Sequence, residues 1–580
     1  MRRRPVVWTA ALALICAFSL VMARGDRATA AWPQDWPAYL HDIAHSSSNH
    51  GDPSITTANA AQLAQTWSHA TGAIIAAAPT VSDGYVYAGS WDGYEYALHA
   101  RTGTMRWRTF LGITDGTTPC GYKVGVTSSA TVDSGVVYVG GGDSHFYALD
   151  ETTGAVLWKA FTGDNSLSSG HYNWSSPAIY NGYAYVGVAS LCDNPLVQGQ
   201  LLRIELSGAH NVVAFNTVPD TQVGGGVWSS PAIDETTNTV FFTTGNGDTT
   251  ASLPEPYAQS IVAVDSNTMT LKSYWHDPYT GGDSDWGTSP VLFTDSLNRQ
   301  LVTATNKDGN VYAFDRANLA AGPVWQQQIA WPGPCPECNG DGSVSTAAFD
   351  GTRIYASGGR YTIHGVDVPG TVNALDPATG NFIWERGAPG IVLAATASAN
   401  DLVIDGAGTN VEVRSAATGA VLYSYTTGGV IYGPATVAEQ HLFATSTDGS
   451  VYAFSPLDTD GDGCPDANEP LLVPPTDPLD PWDFYSVPVP ALFAAPDPAT
   501  VFKDNIVGAA DAQAVFSYFK KSAKTGSVEY EQDLNADGIK DGREYDRSFA
   551  GPGKSGPPDG VIGASDAQLA FAQFKHGYTC

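Results

Sequence analysis

The 580-residue chain contains 62 glycines and 36 prolines, with 11% aromatic and only 15% charged residues, a mixture that disfavours disorder, coiled coils and long helical bundles and favours a β-rich body with many turns. Its 28 basic and 58 acidic side chains give a formal net charge of −30, which repels phosphate backbones and anionic membrane surfaces and excludes nucleic-acid binding.

At the N-terminus Arg2-Arg3-Arg4 precedes an apolar stretch from Pro5 to Ala23 and the small-x-small sequence Ala28-Thr29-Ala30. This pattern predicts a secretory signal over residues 1–30; an uncleaved anchor is the alternative. No later segment is apolar enough to span a membrane. Removal of 1–30 takes Cys16 with it and leaves Cys120, Cys192, Cys335, Cys338, Cys464 and Cys580, an even set suited to disulfides in a secreted or cell-surface protein.

Residues 31–456 repeat one unit: a turn, a short alternating strand, Asp-Gly, a second strand, Asp-x-x-Thr-Gly, and a strand carrying Trp. One copy runs Tyr85-Val86-Tyr87-Ala88-Gly89, Asp92-Gly93, Tyr96-Ala97-Leu98, Thr102-Gly103 and Trp107. The next runs Val136 to Gly140, Phe146 to Asp150, Thr153-Gly154 and Trp158. Later copies are anchored at Tyr183–Gly187, Val240–Phe242, Val311–Asp315, Ile354–Ala356, Leu402–Ile404 and Leu442–Ala444, making eight. Period-2 strands with tight turns at a 40 to 60 residue spacing predict four-stranded blades closed into an eight-bladed β-propeller, an all-β fold. The lone strand Leu63 to Ser68 is expected to complete the last blade, and the recurrent Trp to act as a wedge between neighbouring blades.

These segments resemble the quinoprotein repeat of eight-bladed propellers that bind pyrroloquinoline quinone. The resemblance implies roles for the least repetitive stretch, His171 to Lys307. Trp228, in Gly224-Gly225-Gly226-Val227-Trp228, would be the floor under the quinone, and Asn246, eighteen residues on, a calcium ligand; alternatively they are another wedge and a turn residue. In Gly282-Asp283-Ser284-Asp285-Trp286, Asp285 corresponds to the family's catalytic base, with Asp283 in reserve, and Lys307 to the cation that polarises the quinone carbonyls; two solvated carboxylates and a turn flank are the alternatives. The family's adjacent cysteine pair has only Cys120 to match it here, and its calcium-binding Glu only Asp193. A Cys120–Cys192 disulfide would stiffen the rim. Some relatives, including polyvinyl-alcohol dehydrogenases, carry haem, but Cys335-Pro336-Glu337-Cys338-Asn339 has Asn where haem attachment needs His, so no haem is expected and a local disulfide is.

Beyond the repeat, residues 457–469 contain a twelve-residue calcium loop, from Asp458 to Glu469, with Asp458, Asp460, Asp462, the Cys464 carbonyl, Asp466 and Glu469 at the ligand places and Gly463 at the sharp turn. Asp533, Asn535, Asp537, Ile539, Asp541 and Glu544 fill a second loop, with Gly538 at its turn. Residues 470–499 read as a Pro-rich stiff linker. Within 500–580, Asp504 to Gln513 is echoed by Asp559 to Gln568, each running into an amphipathic stretch. This EF-hand-like, partly helical duplication resembles dockerin modules, which bind partner domains; its two loops lack their first ligands, at Thr500, Phe502, Ser555 and Pro557. Cys464 and Cys580 are placed to tie the module's ends, and with little apolar core it is expected to fold around Ca²⁺.

Two functions compete. One is a secreted quinoprotein oxidising an alcohol, a polymeric alcohol or a sugar. The other is a non-enzymatic extracellular propeller that binds a protein or polysaccharide and docks through its tail.

Overall fold

Short runs such as Tyr85–Gly89 and Val136–Gly140 are buried on both faces, as strands sandwiched between neighbouring sheets must be. The computed structural model describes residues 35–251, 253–278, 284–466, 468–535, 538–548 and 556–580; the signal assigned to 1–30 lies outside them. Among these residues the strands build eight blades on four antiparallel strands each, two of them extended by a short fifth strand, Ser48–Asn49 (parallel) and His171–Tyr172. In chain order blades 1 to 7 occupy 80–110, 131–161, 178–216, 232–276, 291–328, 348–388 and 397–426. Blade 8 combines three strands from 436–456 with Leu63–Ala70, which pairs antiparallel with Ser450–Pro456 from Leu63↔Pro456 to Ala70↔Ser450. The lone N-terminal strand therefore closes the ring as expected.

The recurrent tryptophans are wedges. The indole N–H of Trp67 donates to the Ala100 carbonyl of the next blade at 2.8 Å, Trp107 to Glu151 at 2.8 Å, Trp325 to Pro377 at 3.0 Å and Trp384 to Ala416 at 3.0 Å. Each ring lies on the glycine of the neighbour's Thr-Gly: a Cβ on Gly103, Gly154, Gly380 or Gly419 would stand 2.5 to 2.7 Å from the indole. The repeat thus couples a Trp in one blade to a Gly in the next.

Two devices absent from the sequence reading satisfy the inner strands. Residues 36–49 thread across them: Val81, Val132, Ile233, Leu292, Phe349 and Ser398 donate their backbone N–H groups to the carbonyls of Trp36, Pro37, Ile43, Ala44, Ser46 and Ser47. Trp36 and Leu40 are fully buried in this segment. A chain of hydroxyls also passes from blade to blade. The N–H of Ala78 donates to Ser129 Oγ, Ser129 to Ser176, Ser176 to Ser230, Ser230 to Ser289 and Ser289 to Thr346 Oγ1, every step 2.9 Å.

The tail departs from expectation. Residues 470–499 are no free linker and the module has an apolar core: Phe484, Tyr485, Val487 and Leu492 pack, fully buried, with Val507, Val515, Tyr518, Tyr545 and Ile562. The prolines punctuate this segment, but its aromatic and aliphatic side chains have nowhere else to escape water. Arg106 pairs with Asp497 at 2.9 Å and Gln440 donates to the Lys503 carbonyl at 2.8 Å, fastening the tail to blades 1 and 8. Of the three disulfides, Cys120–Cys192, Cys335–Cys338 and Cys464–Cys580, the last ties the ends of the module. No helix among the described residues is long and apolar enough to cross a membrane.

The wedge pairing separates two costs of replacing a glycine. Gly154 (φ +68°) abuts Trp107, whereas Gly135 (φ +79°) has nothing within 4 Å. Alanine at either meets the left-handed penalty of about 1 kcal/mol, and Gly154→Ala adds overpacking of roughly 1–3 kcal/mol. Chemical denaturation should find Gly154→Ala the more destabilised of the two; equal midpoints would remove the wedge from the account of blade packing.

Candidate functional site

The hydroxyl chain marks one recurrent place in successive blades. Two residues ahead of Ser129, Ser176, Ser230, Ser289 and Thr346 stand Thr127, Trp174, Trp228, Gly287 and Val344. Trp228 thus holds a different place in its blade from the recurrent tryptophans, although it too packs on a glycine of the next blade. Its indole lies over the next blade, where a Cβ on Gly287 would be 2.5 Å from its Cη2 and 2.6 Å from Val344 Cγ1. Glycine at 287 is what leaves room for a half-buried ring across that position.

Lys307 occupies a second variable place. In several blades a turn Asp accepts a bond from a Tyr hydroxyl four residues on, as Asp92 does from Tyr96, Asp143 from Tyr147, Asp308 from Tyr312 and Asp448 from Tyr452. The residue before that Asp is unconstrained by the turn: Trp91, Gly142, Lys307 and Thr447. Lys307 is only 8% exposed, so the solvated turn flank is ruled out.

Asp285 and Lys307 meet. Lys307 Nζ lies 3.2 Å from Asp285 Oδ2 and 5.7 Å from the centre of the Trp228 ring. The Asn246 N–H donates to Asp285 Oδ1 at 2.5 Å, and the Lys307 N–H to the Asp285 carbonyl at 3.1 Å. A Cβ on Gly245 would be 3.2 Å from Trp228 Nε1 and 3.4 Å from Asp285 Oδ1, so indole and carboxylate flank one bare stretch of backbone. Asp285 is 5% exposed; a buried carboxylate persists only when paired and hydrogen-bonded, as it is here.

Other expected members stand apart. Asp283 lies outside the described residues. Asn246 serves Asp285 through its backbone, its side chain turned to the Gly247 carbonyl at 3.5 Å. Asp193 is exposed beside Cys192. Cys120 is exposed too, and its partner Cys192 packs with Trp91, Trp174 and Tyr172, a cluster belonging to blades 1 to 3.

The tail holds a second site. Carboxylate oxygens of Asp458, Asp460 and Asp462 converge within 4.8 Å of one another, as do those of Asp462, Glu469 and Asp483. Glu469 is fully buried with the Thr476 hydroxyl as the one side-chain donor beside its carboxylate, and Asp483 Oδ1 is buried without a hydrogen bond. Burial, then the charge of Asp462, pushes the Glu469 carboxyl up to about 8. Asp460, Asp462 and Asp483 are raised as well, first by burial. Asp483 is a member that sequence spacing misses, since it comes from the Pro-rich segment fourteen residues past the loop. Asp466 turns away, accepting from the N–H and hydroxyl of Thr459, both at 2.6 Å. Cys464 is committed to Cys580, its N–H donating to Asp462 at 2.9 Å.

The second loop is less open. Asp533 accepts from the Gly538 N–H at 3.0 Å, and Asp541 from Leu534, Tyr518 and Gln532 at 2.8 to 3.0 Å. Asn535 and Glu544 are buried, Ile539 is half exposed, and Asp537 lies outside the described residues. Asp511 and Asp566 cap their own helices from Gly508 and Gly563, both at 2.7 Å.

Comparison with known proteins agrees with this fold. Residues 51–327 and 368–513 match the PQQ_2 family, described as outer membrane protein assembly factor BamB. A quinohemoprotein alcohol dehydrogenase from Comamonas testosteroni is 26% identical over 334 residues, 50% of this chain and 46% of that protein. A polyvinylalcohol dehydrogenase from Sphingopyxis sp. (strain 113P3) is 23% identical over 53% of this chain and 52% of its own. The chain thus spans about half the length of these curated relatives. The crystal structure of the Comamonas testosteroni quinohemoprotein alcohol dehydrogenase superposes with a TM-score of 0.60 at 19% identity, covering 74% of this chain and 81% of that one. A europium-containing methanol dehydrogenase gives 0.61 at 16% identity over 73% and 98%. With the family match extending over most of an eight-bladed ring, the chain belongs to the PQQ_2 family of β-propellers.

Proposed function

We propose that the propeller is a dehydrogenase that oxidises the hydroxyl of an alcohol, a polymeric alcohol or a sugar, with pyrroloquinoline quinone held at Trp228 and Lys307. The observation that carries this reading is the buried Lys307–Asp285 pair beside the Trp228 ring. The residues fit the group: the indole offers a flat apolar floor left bare by Gly245 and Gly287, and the ammonium is a cation for carbonyl oxygens that gain charge on reduction. When bound, the quinone supplies the acceptor for the hydride leaving the carbinol carbon. Asp285 takes the hydroxyl proton. The Asn246 N–H fixes Oδ1 and Lys307 holds Oδ2, so the carboxylate stays anionic and oriented until the proton arrives. Calcium at Asn246 and Asp193 forms no part of this proposal, because Asp193 is exposed and Asn246 presents its backbone to Asp285. In the alternative reading, a non-enzymatic scaffold, the pair is structural, as the buried Arg414–Asp405 pair of blade 7 is.

We propose further that Asp458, Asp460, Asp462, Glu469 and Asp483 bind Ca²⁺. Buried carboxylates short of donors are costly unless a cation joins them, and hard oxygen ligands at this density suit calcium. We propose secretion on the residue 1–30 sequence pattern, a reading with which the disulfides among the described residues are compatible.

Reconstitution of the purified protein with the quinone should give a bound chromophore and alcohol-dependent dye reduction. Asp285→Asn should keep the chromophore and lose turnover by at least about 100-fold; full turnover in that variant would clear Asp285 of the role. Trp228→Ala should weaken quinone binding by on the order of 1 kcal/mol beyond the area lost. A wild-type protein that binds no quinone under any of these conditions leaves the scaffold reading standing. For the tail, calorimetric titration should show calcium binding that Glu469→Gln weakens at least about tenfold. At 100 times the dissociation constant, calcium should stabilise the tail by about 2.7 kcal/mol. Indistinguishable melting with and without chelator would reduce the cluster to an acidic turn.

A further inference from the structure

One buried position of the repeat carries a different chemistry in a single blade. The second residue of each blade's third strand is buried: Phe146, Leu201, Ile261, Val311, Val411 and Val451 in six blades, and Thr371 in blade 6, whose hydroxyl donates to the Ile329 carbonyl at 2.9 Å. In blade 1 it is Glu95. Its side chain is fully buried, and neither carboxyl oxygen has a hydrogen-bond partner. Opposite it across the strand pair stands Gly89, where a Cβ would lie 3.1 Å from Glu95 Oε2 and 2.5 Å from Val126 Cγ1. Val126 packs with Val137 and Val139 of blade 2, so the carboxyl lies at the junction of blades 1 and 2. Thr109, its partner on the other side, gives its hydroxyl proton to the Gly154 carbonyl at 2.6 Å. An ionised carboxylate without a donor is far costlier to bury than a neutral acid. Burial alone holds this one well above the ordinary carboxyl range, and no charged group among the described residues acts on it. Three other blades fill the same place with valine.

The opposite side of blade 1 holds a second proton. Glu439 and Asp35 are each 2% exposed, and their carboxyl groups share a hydrogen bond that one of them donates only when protonated. Glu439 follows the inner strand of blade 8, Thr436–Ala438, and Asp35 precedes Trp36, which bridges to Val81 in the inner strand of blade 1. Asp52 and Arg101 are the other charged groups that act on Glu439. Asp52 accepts from the Ser54 N–H at 3.0 Å and the Gln440 N–H at 2.7 Å. Burial, then the charges of Asp35 and Asp52, push Glu439 well above the ordinary range against the pull of Arg101. Both junctions of blade 1 are thus closed over acids that must keep a proton.

We propose that blade 1 is a proton-gated seam of the ring: protonated, Glu95 and the Glu439–Asp35 pair let both of its junctions close, and their ionisation loosens the ring there before it loosens elsewhere. The inference is independent of the dehydrogenase reading and of calcium at the acidic loop. The folded protein holds these protons more tightly than the unfolded chain does, so their contribution to stability is whole below the ordinary carboxyl range and is lost as the pH rises through the folded values.

The test compares the full chain with its Glu95→Gln, Glu439→Gln and double variants by amide hydrogen exchange and denaturant unfolding. With intrinsic exchange rates corrected for pH, wild-type peptides from 80–110 should open at least about tenfold more often at about pH 8 than at about pH 5, the effect of one unit of difference in pKa. Peptides from blades 4 to 6 should change less. The double variant should lose the acceleration and each single variant part of it, and the folding constant of the double variant relative to the wild type should rise at least about tenfold between the same two pH values. Glu95→Val serves where the glutamine variant fails to fold, and the wild-type exchange map decides without any variant. The tail's own carboxylates titrate too, so peptides from 457–580 are read separately. The proposal is overturned if exchange in 80–110 is the same at both pH values, if the acceleration is spread evenly over the eight blades, or if the double variant keeps it.

Discussion

Eight inner strands face one axis, and each has an edge of backbone N–H and C=O groups that no ninth sheet can pair. Leaving such groups buried and unbonded costs about 1–3 kcal/mol each, so the ring is tenable only if something meets its inner edges. Here the segment 36–49 meets them on one level and the hydroxyls from Ser129 to Thr346 on another. The hydroxyl places must be short and polar, which is why Ser and Thr recur there. The positions two residues earlier carry no such demand.

Chemistry collects where the repeat leaves a side chain free. Trp228 and Gly287 precede hydroxyl places, Lys307 precedes a turn Asp, and Asp285 lies two residues before Gly287. Those variable places meet across the junction of blades 4 and 5, where the backbone N–H of Asn246 and the Lys307 ammonium bind opposite oxygens of one carboxylate. The pair is buried beside the indole, and exclusion of water strengthens a charge–charge contact. Fold and site are therefore one arrangement: satisfying the inner edges fixes the backbone that aims these side chains.

The ring was legible in the sequence because each blade repeats one pattern and each Trp has its Thr-Gly; copy number, closing strand and wedges all follow from period and spacing. Asp285, Lys307 and Trp228 stood out as irregular residues within a regular array, and the structure brings them together. What spacing did not reveal shares one cause. The threading segment 36–49, the core contribution of Phe484, Tyr485 and Leu492, and the convergence of Asp483 on Glu469 are contacts between residues remote in sequence with no periodic signature. Composition misled where prolines masked the buried aromatics between them, and motif spacing does not show that Asp466 and Asp541, at ligand places, accept protein hydrogen bonds in the fold.

The acidic loop sits at a mechanically special point. The Leu457 N–H donates to the Gln62 carbonyl at 3.0 Å and so prolongs the pairing that closes the ring, and the Asp466 N–H returns to the Leu457 carbonyl at 3.0 Å. The turn holding Asp458, Asp460 and Asp462 is thereby clipped to the closing strand. The far side of the same cluster, Glu469 and Asp483, belongs to the segment whose aromatics form the tail's core, and Lys503 reaches back to the Gly461 carbonyl at 2.8 Å. These carboxylates therefore converge at the seam between ring and tail. A tail joined to the ring only through a flexible linker would leave the closing blade indifferent to its state. This one is anchored to blades 1 and 8 by Arg106–Asp497 and by the Gln440–Lys503 bond, on either side of the strand that closes the ring.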